Sequence, residues 1–234
     1  APDNPYTLSV LHTNDVHSRA EVYPKLFTAL LETRNTRPNS LLLDAGDALT
    51  GTLYFNEFQG DVEQRFMSGF NYDAMTFGNH EFDLGSSPEG HQKLKEFVEG
   101  AEFPFVSTNV NFNKDPLFKG IFQNTFTDKP KDGNIYAGIV KELGGEKVGI
   151  FGLTTEETTS ISSPGSITFE NYITKAEEAV EEFEKRGINK VIALTHIGYD
   201  DNPAIDNDLM LAKSVEGIDI IVGGHSHTRL DEPV

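Results

Sequence analysis

The sequence contains no cysteine among its 234 residues. That excludes disulfides, thiol nucleophiles, iron–sulfur clusters and cysteine-ligated zinc together. Any bound metal must be held by His, Asp, Asn or Glu. Basic charge is scarce as well: 19 Lys+Arg stand against 37 Asp+Glu, for a formal charge of −18. No Lys/Arg cluster exists to displace the counterions of a nucleic-acid polymer. An acidic, self-repelling surface is the simplest meaning of this balance. Long apolar runs are missing too, and none approaches the roughly 20 residues of a membrane span.

The composition itself is that of a globular protein, 37% apolar and 24% charged. A chain of this size buries roughly 70% of its unfolded surface, so one core suffices without a staple. The sequence opens Ala1-Pro2-Asp3-Asn4-Pro5 with no initiator Met. That start, with the absent cysteine, fits a processed bacterial protein that is extracellular, cell-wall-associated or periplasmic.

Apolar runs at 8–11, 41–43, 74–77, 191–194 and 218–222 read as buried strands, with a sixth at 148–151. Near-continuous apolarity fits strands covered on both faces. Between them, Ala176, Ala179, Val180 and Phe183 recur at helical spacing, with glutamates opposite. Thr174 and Glu177 could form a capping box for this helix, and Gly187 could stop it. Phe27, Leu30 and Leu31 mark another helix, opened by Pro24, and 93–98 and 205–214 are further candidates. Residues 101–147 carry Phe103, Phe105, Phe112, Phe118, Phe122 and Phe126 among Pro, Asn, Asp and Gly. Short strands and long turns with core phenylalanines are expected there, in preference to a base-stacking platform.

Polar residues gather just after the strands. They are Asn14-Asp15-Val16-His17, Asp44-Ala45-Gly46-Asp47, Gly78-Asn79-His80-Glu81-Phe82-Asp83, Thr195-His196 and Gly223-Gly224-His225-Ser226-His227. Five of the seven histidines fall in these pieces. In an open α/β sheet the strand ends line one rim, so separate pieces can converge on one point. Each piece alone is ordinary turn chemistry, but the joint pattern suits two divalent cations. Two ions ~4 Å apart need a ligand that touches both, which a carboxylate can do. Asp47, alone at its strand end, is the candidate bridge. Asp15 and His17 can serve one ion, and Asn79 and His196 the other. His225 and His227 can be divided between them. An oxygen/nitrogen set without sulfur suits Mn²⁺ or Zn²⁺, with Co²⁺ and Fe²⁺ as alternatives. Two such cations outweigh Asp15, Asp47 and one hydroxide, so an acidic protein can still present a net-positive centre to a phosphate ester.

These residues resemble the calcineurin-like metallophosphoesterases, within them the bacterial 5′-nucleotidase branch with its UDP-sugar hydrolases and 2′,3′-cyclic phosphodiesterases. The likeness runs from about Leu8 to Thr228, and Glu81-Phe82-Asp83 after Gly78-Asn79-His80 favours the nucleotidase branch. It implies a four-layer α/β/β/α sandwich with a dinuclear site at the strand ends. It implies Asp15, His17, Asp47 and His227 on one ion, and Asp47, Asn79, His196 and His225 on the other. His80 becomes the catalytic imidazole and Asp83 its orienting carboxylate. The sequence agrees: His80 directly follows a candidate ligand, with a carboxylate three positions on to fix its tautomer. Glu81 reads as structural support, His12 and His91 as incidental, and Arg19, near the first of these turns, is given no phosphate role.

The expected chemistry is in-line attack of a metal-activated hydroxide on a small phosphate ester, a 5′-nucleotide above all. A 2′,3′-cyclic nucleotide phosphodiesterase, another metallohydrolase of the branch, or an impaired fragment serving as a surface or binding module are the alternatives. Residues 1–234 are expected to form one catalytic domain, short of its last strands and of the C-terminal substrate-binding domain of the nucleotidases.

Overall fold

The structure, a computed structural model, describes residues 5–200 and 202–234. Two five-stranded sheets dominate. The first is wholly parallel and runs in the order β1 (Ser9–Thr13), β2 (Ser40–Asp44), β3 (Ala74–Met75), β4 (Phe105–Val106) and β7 (Ile135–Tyr136). The second runs β12 (Ile220–Val222), β11 (Val191–His196), β9 (Glu146–Thr154), β8 (Gly138–Leu143) and β6 (Phe126–Thr127). It is parallel except for the β8–β9 hairpin. A two-stranded ribbon pairs β5 (Val110–Asn111) with β10 (Thr168–Phe169).

The apolar runs explain the layering. Side chains alternate across a strand, so Leu41 and Leu43 enter the core between the sheets while Leu42 points to the opposite face. Ile192, Leu194 and Ile150 join that inter-sheet core, and Ala193 and Phe151 face outward. Helices cover both outer faces. On the first sheet lie α1 (Tyr23–Thr36), α3 (Asp61–Phe70) and α4 (Gln92–Gly100), with the short α2 (Leu53–Phe58) ahead of α3. On the second lie α6 (Tyr172–Lys185) and α7 (Asp208–Ser214). A single turn, α5 (Thr158–Ile161), precedes β10. Three apolar cores between four layers make the expected α/β/β/α sandwich.

Several local expectations need correction. Helix α6 starts two residues before Thr174: Asn171 is its N-cap, and its Oδ1 accepts from the Thr174 N–H at 3.1 Å. Gly187 does stop it. The Gly187 N–H reaches Glu184 O at 2.9 Å and the Ile188 N–H reaches Phe183 O at 3.0 Å, a Schellman closure with Gly187 at φ 71°. Phe183 lies flat on the sheet because Gly149 has no side chain; a Cβ there would sit 2.8 Å from the ring. On α1 only Tyr23 and Leu30 are buried, and Phe27 and Leu31 face outward. The phenylalanines of 101–147 belong to the core, four of the six being fully enclosed. No helix among the described residues is long and apolar enough to cross a membrane.

Candidate metal centre

Parallel strands end at a common edge, and the loops after β1, β2, β3, β11 and β12 meet there. The loop after β1 is an extension of the β1–β2 ladder. Asp15 N–H donates to Gly46 O at 2.9 Å, His17 N–H to Asp47 O at 3.0 Å and Ser18 N–H to Ala48 O at 2.8 Å. The second sheet is stitched on by the His225 N–H, which donates to the Asp15 carboxylate at 3.1 Å, and by His196. His196 closes β11, and its Nδ1–H donates to Ala45 O at 2.7 Å. That bond fixes the tautomer and presents Nε2 to the cluster.

Five of the candidate ligands hold left-handed backbone: Asp15 (φ 51°), His17 (50°), Asp47 (56°), His225 (85°) and His227 (52°). Such conformations cost about 1–3 kcal/mol each for residues with a side chain, and they persist only where the surroundings over-determine them. At Asp15, His17, Asp47 and His225 inter-loop hydrogen bonds do so. Gly46 and Gly78 permit the closest approach. A Cβ on either would collide with the backbone or carboxylate of the facing turn.

The side chains converge. His196 Nε2 lies 3.0 Å from Asp47 Oδ2 and 3.9 Å from Asp15 Oδ1. His17 Nε2 lies 3.8 Å from Asp47 Oδ2, 3.9 Å from Asp15 Oδ1 and 3.2 Å from His227 Nε2. His227 Nε2 is 3.3 Å from Asp15 Oδ1. Asp15, His17 and His227 form one group of ligand atoms within 4.8 Å of one another, and Asp47, His196 and His225 form another. His17 and Asp47 also group with His80. Asp47 and His17 thus each belong to two groups.

Whether cations fit this cluster is tested by its buried atoms. Asn79 Oδ1 is enclosed with no hydrogen-bond partner, and His196 Nε2, equally enclosed, has the Asp47 carboxylate 3.0 Å away but outside hydrogen-bond geometry. A buried polar atom without a partner costs about 1–3 kcal/mol. Two of them, on side chains that flank a pair of carboxylates, fit a cation that takes their lone pairs. The electrostatics agree. Burial alone would raise the Asp47 carboxyl, but His196 beside it holds it well below the usual carboxylate range. Burial would lower His196, yet Asp47 and Asp15 push it up to about 10. The cluster therefore attracts positive charge.

Around it stand the supporting groups. Glu81, 2% exposed, accepts from three backbone N–H groups: Gly78 at 2.6 Å, Asp47 at 2.9 Å and Leu49 at 3.1 Å. It ties the turn bearing Asp47 to the turn bearing Asn79. His80 Nδ1 lies 2.6 Å from Asp83 Oδ2, and this bond, against the opposing effect of burial, raises the imidazole above its ordinary value. Ser162 donates to Asp83 Oδ1 at 2.7 Å. A cleft of about 440 Å³ opens beside the cluster, lined by Asp15, His17 and His227 together with the cations Arg19 and Arg229.

All nine residues singled out in the sequence are therefore at this edge. Arg19 is at its mouth. Ser162 has no sequence signal, since serines in turns shortly before a proline are common and the partner carboxylate is 79 positions away. His91 is far from incidental: it is buried and paired with Asp115.

A four-layer sandwich with an Asp/His/Asn cluster at the strand ends has the layout of a phosphoesterase domain whose cluster could hold metal ions. The chain belongs to the calcineurin-like phosphoesterase family, whose model matches residues 8–229. It is 40% identical to the trifunctional nucleotide phosphoesterase protein YfkN of Bacillus subtilis, over 99% of this chain and 17% of that protein. It is 37% identical to human 5′-nucleotidase, over 96% of this chain and 39% of that one. Among solved structures, the 5′-nucleotidase precursor of Thermus thermophilus superposes with a TM-score of 0.78 at 37% identity, covering 95% of this chain and 42% of that chain. The chain thus spans well under half the length of these relatives.

Proposed function

We propose that this chain is the catalytic unit of a dinuclear metal-dependent phosphohydrolase acting on 5′-nucleotides or related small phosphate esters. The observation that carries the reading is the convergence of five strand-end loops on two carboxylates, with Asn79 Oδ1 and His196 Nε2 buried beside them and making no hydrogen bond. Asp15, His17, Asp47 and His227 would hold one divalent cation, and Asp47, Asn79, His196 and His225 the other. Mn²⁺ or Zn²⁺ suits this donor set. When bound, the cations supply Lewis acidity and an activated water.

The chain's own groups do the rest. Asp47 would serve both cations, and it holds the His80 backbone N–H on Oδ1 at 2.9 Å, which sets the His80 turn against the candidate ligands. His80, its Nδ1–H directed at Asp83, presents Nε2 to the departing ester oxygen and delivers a proton there. General acid catalysis of this kind contributes roughly 10²–10⁴-fold. Arg19, at the cleft mouth, offers positive charge to an anionic substrate in a protein of charge −18. The relatives named as nucleotidases and as a trifunctional nucleotide phosphoesterase support nucleotides as the substrate class. The solved relative named as a precursor supports an exported protein.

The test combines metal content with phosphate release from AMP, UDP-glucose, 2′,3′-cyclic AMP and bis-p-nitrophenyl phosphate. Two bound ions with turnover of AMP are expected. His80→Ala should retain the ions and lose rate. A two-metal protein that turns over none of the four esters would sink the proposal and favour a binding module.

A further inference from the structure

The proposed chemistry leaves one buried histidine without a task. His91 is 2% exposed, and its Nδ1 pairs with Asp115 Oδ2 at 3.0 Å. Its ring stands edge-on to Phe82 at 6.0 Å and lies 6.2 Å from Phe118. Its Nε2 has no hydrogen-bond partner. An apolar ring would fill this apolar space without that desolvation cost. A polar ring held by a carboxylate specifies an orientation.

What the ring touches gives the orientation a purpose. Nε2 faces Gly85, where a Cβ would collide with both this nitrogen and Ser163 O. At the adjacent ring carbon, a Cβ on Gly165 would lie 3.7 Å from His91 Cε1. The ring is therefore the wall against which two pieces of chain close: the His80–Ser86 turn and the 162–165 segment. The same two pieces meet a second time at Asp83. Its Oδ1 accepts from Ser162 at 2.7 Å, and its Oδ2 lies 2.6 Å from His80 Nδ1.

We infer that His91, held by Asp115, is a positioning residue for the His80–Asp83 pair. It sets the spacing between the His80–Ser86 turn and the 162–165 segment, so that Asp83 stays fixed between Ser162 and His80. The inference rests on the proposed role of His80 and deepens it. An orienting carboxylate that swings lets the imidazole turn away from the leaving oxygen. The damage then falls on the one step that needs a delivered proton.

That selectivity provides the test. His91→Phe keeps a flat aromatic ring beside Phe82 while removing both nitrogens. Asp115→Asn keeps the acceptor that caps Leu117 N–H at 3.0 Å while losing the carboxylate that holds the imidazole. Each is compared with the unaltered protein for metal content, melting temperature, and kcat and KM on AMP and on p-nitrophenyl phosphate. The alkoxide of AMP leaves only with a proton; p-nitrophenolate leaves without one. Expected is a fall in kcat of about tenfold or more on AMP and less than about twofold on p-nitrophenyl phosphate, with metal content and KM unchanged. The low-field proton signal of His80 Nδ1–H, identified by its absence in His80→Ala, should broaden or disappear in both variants. Equal losses on the two esters, or unchanged kinetics with an unchanged signal, would overturn the inference. If one variant does not fold, the other decides. If the metal-loaded unaltered protein hydrolyses neither ester, the proposed function falls, and the His80 signal alone decides the positioning: retained in both variants, it overturns it.

Discussion

The two halves of the candidate metal-ligand cluster are built differently. Asp47, Asn79 and His196 are buried, and His196 is a strand residue with no exposed surface at all. His17 and His227 stand on loops, and the His227 side chain is 59% exposed. The enclosed half holds two buried atoms, Asn79 Oδ1 and His196 Nε2, that make no hydrogen bond. The open half pairs its imidazoles with each other across 3.2 Å. The contrast separates two tasks. A half locked by packing can hold an ion in fixed geometry, whereas a half facing the cleft can admit and release a substrate. The backbone adds to this, because three left-handed candidate ligands, Asp15, His17 and His225, are held by inter-loop hydrogen bonds.

The comparison can be broken most severely at the residue shared by both halves. Asp47→Asn removes the bridging charge. It should release both ions and cut phosphate release by about 10³-fold or more, read by metal analysis and turnover. Retention of two ions and full rate would undo the ligand assignment. Next come the two histidines. His196→Ala should lose one ion outright, while His227→Ala should weaken metal affinity by about 10–100-fold and recover with excess metal. A chelator should then strip the open half first, giving two resolved phases of metal loss. Equal sensitivity of the two histidine variants would erase the distinction.

Stability sharpens the same contrast. Glu81→Gln replaces an acceptor of three backbone N–H groups with one that can serve fewer of them, behind the enclosed half. A loss of about 2–4 kcal/mol is expected in denaturant titration. Behind His196, Thr155 donates to Asp206 Oδ1 at 3.0 Å, and burial pushes Asp206 up to about 6. Its folded value exceeds its unfolded value, so its contribution is full below about pH 4 and is lost as pH rises through about 6. Asp206→Asn should therefore gain stability relative to the unaltered protein between about pH 4 and 7, by about 2 kcal/mol. A difference that stays flat with pH would show that Asp206 does not titrate in this way. Smallest of all is Ser226→Ala in the open half. Its hydroxyl accepts from Tyr199 N–H at 3.0 Å at a partly exposed position, and less than about 1 kcal/mol should be lost.

Much of this was legible along the chain. Leu41-Leu42-Leu43 reads as a strand covered on both faces because neighbouring residues face opposite layers, and the structure uses it that way. The spacing of Ala176, Ala179, Val180 and Phe183 fixes the buried face of α6. The start of α6 was not legible, since Asn171 and Thr174 are both good caps and packing chooses between them. The phenylalanines of 101–147 could be assigned to the core but not to partners. Phe105 on β4 and Phe77 just after the neighbouring β3 stack at 5.2 Å, and nothing local encodes that contact across 28 positions. Helix α3 followed no capping signal: Gly60 precedes it in left-handed backbone without a side-chain cap.

By itself, the sequence determined the donor chemistry: oxygen and nitrogen without sulfur, set just after buried strands. Those features are local, because ligand types and strand periodicity are written in adjacent residues. Only the tertiary structure decided which ligands lie deep and which face the cleft, that Glu81 braces two turns, and that His91 meets Gly85 and the 162–165 segment. Most of these depend on contacts between residues tens to hundreds of positions apart. The physical reason is the packing of two sheets, which turns separate strand ends into a single edge and leaves five candidate ligands in left-handed backbone that is uncommon outside glycine.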